Sequence, residues 1–252
     1  MDTTLLRPAT EIRPIELHTP FAWLRAGLAD LRASPLPSLF YGLCFAVIGY
    51  ALAFALRYQP QLFVAASAGF MLLGPALAIG LYELSRRREA GLPLRLAPTL
   101  TAWRNNFHHL ALFSMVLMVI YLVWTRASAL SFTLFFSGSL PTLTAMVQLI
   151  VAPENLTFLG IWLGIGFFFA TLVFLISATT VQMMLDRNTD AISAALTSLR
   201  VVATNPGAMA VWAAIIAWAT AAALLMGFIG IIVVGPLLGH ASWHAYRSMV
   251  GK

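Results

Sequence analysis

The chain has 252 residues, of which 60% are hydrophobic and only 10% are charged, and its mean hydropathy is +0.87. A soluble domain carries about 25% charged residues, so this composition excludes a water-solvated fold and favours a protein embedded in lipid. The net charge of +6 comes almost wholly from arginines that lie between apolar stretches, a pattern that favours anionic lipid headgroups over nucleic acid as the partner.

The first 19 residues contain no apolar core followed by a small-residue cleavage site, so we expect no signal peptide there. They are predicted to form a polar cytoplasmic tail. Residues 20–252 are predicted to form a single membrane domain. It begins with an amphipathic helix over Pro20–Arg32, for which Thr19 is a suitable N-cap. The apolar face of that helix is predicted from helical spacing to hold Phe21, Leu24, Leu28 and Leu31.

Long charge-free stretches follow, each near the roughly 20 residues that a helix needs to cross the hydrocarbon core. Six helical spans are predicted, because a helix satisfies its own backbone hydrogen bonds in lipid. They are expected at about Leu36–Leu56, Leu62–Tyr82, Leu110–Thr125, Leu156–Leu185 and the two halves of Val201–Tyr246, divided at Met226–Gly230. Three alternatives stay open for residues 127–155: a longer helix, a re-entrant segment or a periplasmic loop.

The arginines predict how these spans are oriented. With six spans, 13 of the basic residues fall on the side that holds both termini, and only Arg57 and Arg126 fall on the other. Basic residues accumulate on the cytoplasmic side of membrane proteins. We therefore expect a multi-pass protein of the bacterial inner membrane with cytoplasmic N- and C-termini.

A threefold internal repeat is also predicted, in which an amphipathic helix ending in arginine precedes a hairpin of two spans. The second such helix is expected over Pro98–Arg104 and the third over about Asp190–Arg200, with Ile192, Leu196 and Leu199 on its apolar face. The repeats cover about residues 20–89, 94–187 and 190–252. The amphipathic helices are expected to lie in the cytoplasmic interface, and packing against the helix bundle is the alternative.

Four histidines and a carboxylate are expected at one membrane level near the cytoplasmic face. His240 and His244 lie one helical turn apart, His108 and His109 open the third span, and Glu83 closes the second. One hypothesis is a zinc or copper site formed by the histidine pair and completed by another member of this group. The interpretation that we favour is structural, with these side chains hydrogen-bonding between helices and to headgroups, and no cofactor is expected.

Two Gly-Pro pairs lie within predicted spans, at Gly74-Pro75 and Gly235-Pro236, and each is followed by an aromatic residue and an arginine. Close helix packing is the favoured interpretation of these pairs, and a transport site between broken helices is the alternative. Gly160 and Gly164 have the small-xxx-small spacing that suits close helix approach. The residues expected to contribute to packing or to the interface are Tyr82, Arg86, Trp243 and Arg247, with the two Gly-Pro pairs.

The block from Gly235 to Arg247, GPLLGHASWHAYR, resembles the C-terminal hallmark of a family of predicted bacterial integral membrane proteins built on a domain of unknown function. Leu73-Gly74-Pro75 with Leu81-Tyr82-Glu83 is similar to another block of that family, as is Asp186-Arg187 with 194–200. The resemblance implies an inner-membrane protein and no established activity. Some family members carry names that point to cytochrome c oxidase. A catalytic oxidase subunit is not expected, because it would need histidines on separate helices, and an accessory or assembly role beside such a complex stays open.

Three functions are compatible with these patterns. The first is a non-catalytic accessory, assembly or scaffold subunit of a larger membrane complex, because the sequence lacks catalytic motifs. The second is a small-solute transporter or channel, suggested by the repeats and the Gly-Pro breaks. The third is a metal- or haem-handling protein, suggested by the histidines. We expect that the chain is not an enzyme and that its partners are lipids and other membrane subunits.

Overall fold

The computed structural model describes residues 11–58, 77–136 and 155–251, and within them the chain is α-helical. The predicted second span before residue 77, Gly74-Pro75 and most of 127–155 lie outside the described residues. In chain order the helices are α1 (Thr19–Ala33), α2 (Pro35–Tyr58), α3 (described over 77–89), α4 (Leu96–Thr99), α5 (Phe107–Phe135), α6 (Leu156–Ser177), α7 (Thr180–Arg187), α8 (Ala191–Thr204), α9 (Pro206–Leu225) and α10 (Ile231–Met249).

The described part of the chain holds four helical segments that are long and apolar enough to cross a bilayer, judged by length and composition. They are Pro35–Ala55, Leu96–Phe135, Leu156–Arg187 and Pro206–Leu225. Helix α10, which corresponds to the predicted sixth span, is not one of them. His240, His244 and Arg247 make its last two turns too polar.

Helix boundaries follow the predicted spans where the chain is described. Helix α5 continues past Arg126 to Phe135, so the third span is longer than Leu110–Thr125. The predicted fourth span is broken at Ala178–Thr179, which separates α6 from α7. The long C-terminal stretch divides where expected, because Gly227 and Phe228 adopt positive φ angles of 65° and 64° in the turn between α9 and α10.

The second amphipathic helix differs from its prediction. In place of one helix over Pro98–Arg104, the chain forms the single turn α4 and then a 3-10 helix over Ala102–Asn106. Side chains in this segment donate hydrogen bonds to backbone carbonyls: Thr101 Oγ1 donates to Pro98 O, and Trp103 Nε1 donates to Leu100 O. Such local hydrogen bonds compete with a regular helical ladder and interrupt it.

Helices α1 and α8 form as predicted, but their buried faces differ in part from the predicted apolar stripes. The buried residues of α1 are Pro20, Trp23, Gly27, Asp30 and Leu31, and those of α8 are Ala191, Ala194, Thr197, Ser198 and Val201. Phe21 on α1 and Ile192 and Leu196 on α8 are exposed. Leu31 of the predicted α1 stripe is buried and Leu24 packs partly buried against the core, so the prediction for α1 is correct in part. The buried face of α8 is formed mainly by small residues.

Helix α10 lies at the centre of the N-terminal part of the fold and packs against α1, α2 and α9. Glycines allow this close packing. A Cβ on Gly27 would lie 2.7 Å from the backbone nitrogen of Ala241, and a Cβ on Gly42 would clash with the carbonyl oxygen of Ile232. A Cβ on Gly235 would meet its neighbours only at 3.7 Å, an ordinary contact, so the closest approaches lie at glycines other than the predicted one.

The N- and C-terminal segments lie side by side. Ile12 and Val250 form an antiparallel β-bridge, Arg13 N donates to Met249 O at 2.8 Å, and Gly251 N donates to Glu11 O at 2.9 Å. Asn205, at the start of α9, accepts a hydrogen bond from the backbone nitrogen of Ile15 at 2.8 Å. Both ends of the described chain therefore lie at one end of the helix bundle.

Candidate functional site

A buried polar network joins α1, α2, α3 and α10 at this end of the bundle. Its centre is Asp30 of α1, which is 3% exposed, and His240 of α10, which is fully buried. Ser85 of α3 links the two: its hydroxyl donates to Asp30 Oδ2 and lies 2.8 Å from His240 Nδ1. Ser38 of α2 lies 2.9 Å from His240 Nε2. One imidazole and one carboxylate thus connect four helices.

The hydrogen bonds determine the protonation state of His240. Because the Ser85 hydroxyl gives its proton to Asp30, its oxygen must accept from His240, and Nδ1 therefore carries a hydrogen. Nε2 then accepts from the Ser38 hydroxyl, since a neutral imidazole has one donor and one acceptor nitrogen. A neutral ring is the form expected at a fully buried position, where an imidazolium would be poorly solvated.

Asp30 is the charged member of the network. His244 Nε2 lies 2.9 Å from Asp30 Oδ2, and Arg88 pairs with Oδ1. Burial raises the pKa of Asp30, but hydrogen bonds from His244, Ser85 and Arg88 outweigh it and lower the pKa from 3.8 to about 2. The carboxylate is therefore ionised at neutral pH and its charge is balanced by the Arg88 guanidinium.

A second polar cluster joins α3, α7 and α10 close to the first. Arg247 lies 3.1 Å from Glu89 and 3.3 Å from Asp186. Tyr246 donates to Asp186 Oδ2 at 2.8 Å and accepts from Arg187 at 3.1 Å, and Arg187 also donates to the carbonyl of Gly251. These contacts tie the C-terminal helix to the connection that precedes α8.

The five candidate metal ligands do not form one site in the described part of the chain, where no group of three or more His, Cys, Asp or Glu side chains is placed to hold a metal ion. His240 and His244 both contact Asp30 rather than Glu83. Glu83 is paired with Arg86 at 2.7 Å and with Arg87 at 3.5 Å. His108 is exposed, with its ring 5.7 Å from that of Phe107 and tilted by 59°, and His109 is partly buried.

The predicted packing residues have separate positions. Trp243 is fully buried and its indole nitrogen lies 3.3 Å from Glu89 Oε2. Tyr82 packs partly buried against the main core, and Pro236 is buried inside a continuous α10. Gly160 and Gly164 face open space: a Cβ on either would meet no described atom within 4 Å.

Asp30, Ser38, Ser85 and Arg88 were not predicted as site residues. Asp30 and His240 are separated by 210 positions in the sequence. A local sequence pattern therefore could not predict that α1 packs on α10. The available signal was the helical spacing of Trp23, Gly27 and Asp30, which places the only acidic residue of α1 on the face that also holds its glycine.

This helical architecture, with four segments suited to crossing a bilayer, defines an integral membrane protein. Residues 62–186 match the model of a family described as predicted integral membrane protein (DUF2189), which confirms the predicted resemblance to a membrane-protein family of unknown function. The C-terminal block 235–247 lies outside the matched stretch. No curated protein and no solved structure matches the chain.

Proposed function

We propose that this protein is a non-catalytic accessory, assembly or scaffold subunit of a larger complex in a bacterial inner membrane, with a respiratory complex of the cytochrome oxidase type as the first candidate. The supporting observation is the outward surface of α6. In its most apolar window of 18 residues no side chain is buried within the chain, and Gly160 and Gly164 are open. A small-residue face of this kind suits a second helix in lipid.

The proposed architecture is a six-span bundle of three repeats with both termini in the cytoplasm. The paired termini support an even number of crossings. The exposed apolar residues Phe21, Ile192 and Leu196 support interfacial positions for α1 and α8, since these helices pack on the bundle with one face and present apolar side chains on another. Anionic headgroups near the exposed arginines of this end are the proposed lipid partners.

Burial of the polar network supports a structural role. Ser38, Ser85 and His240 are almost completely inaccessible, and their hydrogen bonds are made to one another and to Asp30. A reaction needs a nucleophile or base that a substrate can reach. The network is better suited to holding α1, α2 and α3 around α10, which would keep the outer helices in place for a partner subunit.

The two alternatives have less support. Glu83 is held by two arginines, and both ring nitrogens of His240 are bonded to serine hydroxyls, so these groups are already engaged. The aromatic-lined cavity between α5, α6 and α9 has an almost wholly apolar wall, which does not suit the passage of a small polar solute.

The proposal predicts that the protein co-purifies with other membrane subunits. The test is affinity purification of the full chain from membranes in mild detergent, with mass spectrometry of the co-eluting proteins. Gly164→Leu should lower the recovery of a partner severalfold while leaving the yield of the chain itself unchanged, because it adds bulk only to the open face.

Ala221→Leu on α9 is the matched control, since it adds the same apolar bulk to an exposed helix position outside α6. This variant should retain the partner. A wild-type chain that elutes alone from gently solubilised membranes, and remains stable, would contradict the proposal.

A further inference from the structure

A cavity of about 540 Å³ lies between α5, α6 and α9, with contributions from α3, α7 and α10. Aromatic side chains form much of its wall, among them Tyr121, Trp124, Phe169 and Trp212. Its volume is within the range of about 300–1,000 Å³ that is typical of sites for small molecules. No charged side chain from the described part of the chain lines it.

One polar group in this cavity is not satisfied by the protein. Gln182 of α7 lines the cavity and is 2% exposed. Its amide nitrogen makes one long hydrogen bond, 3.4 Å, to the carbonyl of Ala178, and its Oε1 has no hydrogen-bond partner among the described residues. A buried acceptor without a donor is destabilising, and native proteins seldom keep one without a reason.

The two serine hydroxyls of the lining do not supply that donor. Ser177 donates to the carbonyl of Val173 at 2.6 Å, and Ser242 donates to the carbonyl of Leu238 at 2.7 Å. Both serine hydroxyls donate to backbone carbonyls of their own helices, as serines in apolar helices commonly do. Gln182 Oε1 therefore remains available to a donor that enters the cavity.

We propose that this cavity binds a neutral, hydroxyl-bearing lipid of the long-chain alcohol class, whose hydroxyl donates to Gln182 Oε1 and whose chain lies along the aromatic wall. The absence of charge from the lining selects a neutral head, because a carboxylate or phosphate would be left without a counterion in an apolar site. The walls belong largely to α5 and α6, which are among the apolar segments suited to the bilayer, so the ligand would enter from the lipid phase.

The test uses the purified full chain in detergent and a diazirine-bearing 1-hexadecanol as the photoactivatable probe, with labelled positions mapped by mass spectrometry. We expect saturable labelling of cavity residues, competition by unlabelled 1-hexadecanol and weak competition by hexadecanoate. Gln182→Leu should weaken binding by about tenfold, the effect of losing one hydrogen bond in a buried site.

Gly166→Leu separates a cavity site from general lipid contact. Gly166 lines the cavity and has free space around it, so the leucine fills the cavity without a backbone clash. Gly160→Leu is the matched control, because Gly160 is also open on α6 but lies outside the cavity. Labelling should be lost in the first variant and kept in the second. Unsaturable labelling, equal labelling of both variants, or hexadecanoate competing as well as the alcohol would overturn the proposal.

Discussion

Asp30 is the residue on which the polar network converges, since Ser85, Arg88 and His244 all bond to its carboxylate. Asp30→Asn removes the negative charge and replaces one of the two accepting oxygens with an amide nitrogen, which cannot accept a hydrogen bond. Removing one partner of a buried ion pair costs about 3–5 kcal/mol, and the partial exposure of Arg88 reduces the expected loss to about 2–3 kcal/mol of the free energy of unfolding. Thermal unfolding in detergent, followed by tryptophan fluorescence, measures this loss.

Glu16→Gln is the control for that experiment. Glu16 also pairs with a histidine, His18, at 3.2 Å, but its side chain is 77% exposed. An exposed pair contributes at most about 1 kcal/mol, so this variant should unfold nearly as the wild type does. Equal effects of the two substitutions would show that the Asp30 network contributes no special stability.

The lowered pKa of Asp30 predicts a pH dependence of stability. Its folded-state pKa of about 2 lies below the ordinary value of 3.8, so the carboxylate contributes its stability above pH 3.8 and loses it as the pH falls towards 2. The difference corresponds to about 2 kcal/mol. The stability gap between the wild type and Asp30→Asn, measured by thermal unfolding between pH 5 and pH 2, should therefore narrow across this window. A gap that stays constant would contradict the assignment.

At the scale of the element, the contact between α1 and α10 depends on Gly27. Gly27→Ala places a methyl group 2.7 Å from Ala241 N and 2.9 Å from Leu237 O, and a backbone cannot yield as a flexible side chain can. Alanine favours a helix by about 0.5–1 kcal/mol over glycine, but overpacking costs about 1–3 kcal/mol and should prevail. We expect a lower melting temperature.

Gly160→Ala makes the same substitution where no described atom lies within 4 Å of the new methyl group. Only the helix propensity then changes, so this variant should be as stable as the wild type or slightly more stable. If both alanines stabilised the chain, α1 would not pack on α10 through Gly27.

Helix positions were predictable from the sequence because charge-free length and helical spacing are local properties. The turn between α9 and α10 was found from its glycines for the same reason. The buried face of α1 was predicted only in part, since Leu31 is buried but Phe21 is exposed. An apolar stripe predicts a core face only when the other side meets water, and the inner face of α1 also depends on Gly27 and on hydrogen bonds from Asp30 to residues far along the sequence.

The whole molecule separates its helix ends into two groups. One end holds the paired termini, α1, the 3-10 helix and α8. The other holds the end of α2 and the turn at Gly227, which meet where Tyr50 donates to the carbonyl of Gly227 and packs on Phe228 at 5.3 Å. The ends of α5 and α6 also meet each other, where Phe136 packs on Phe158 at 4.9 Å.

This separation makes the proposed orientation testable with two matched positions. Leu92 follows the arginine-rich end of α3, and Met226 lies in the turn after α9; both are exposed apolar side chains in connections. In a Cys44→Ala background, Leu92→Cys should react with a membrane-impermeant maleimide only after lysis of the inner membrane. Met226→Cys should react in spheroplasts that are still intact, because the arginines hold the other end in the cytoplasm.

The two labelling results are informative only together. Helices α9 and α10 form a hairpin with about 20 residues in each arm, and a helix of that length is about as long as the hydrocarbon core is thick, ~30 Å. If both arms span, the turn at Met226 must therefore lie on the opposite side of the membrane from the C-terminus. Reaction of both cysteines from the same side would mean that the polar C-terminal half of α10, with His240 and Arg247, keeps this helix from crossing. The polar network around Asp30 and His240 would then lie outside the bilayer.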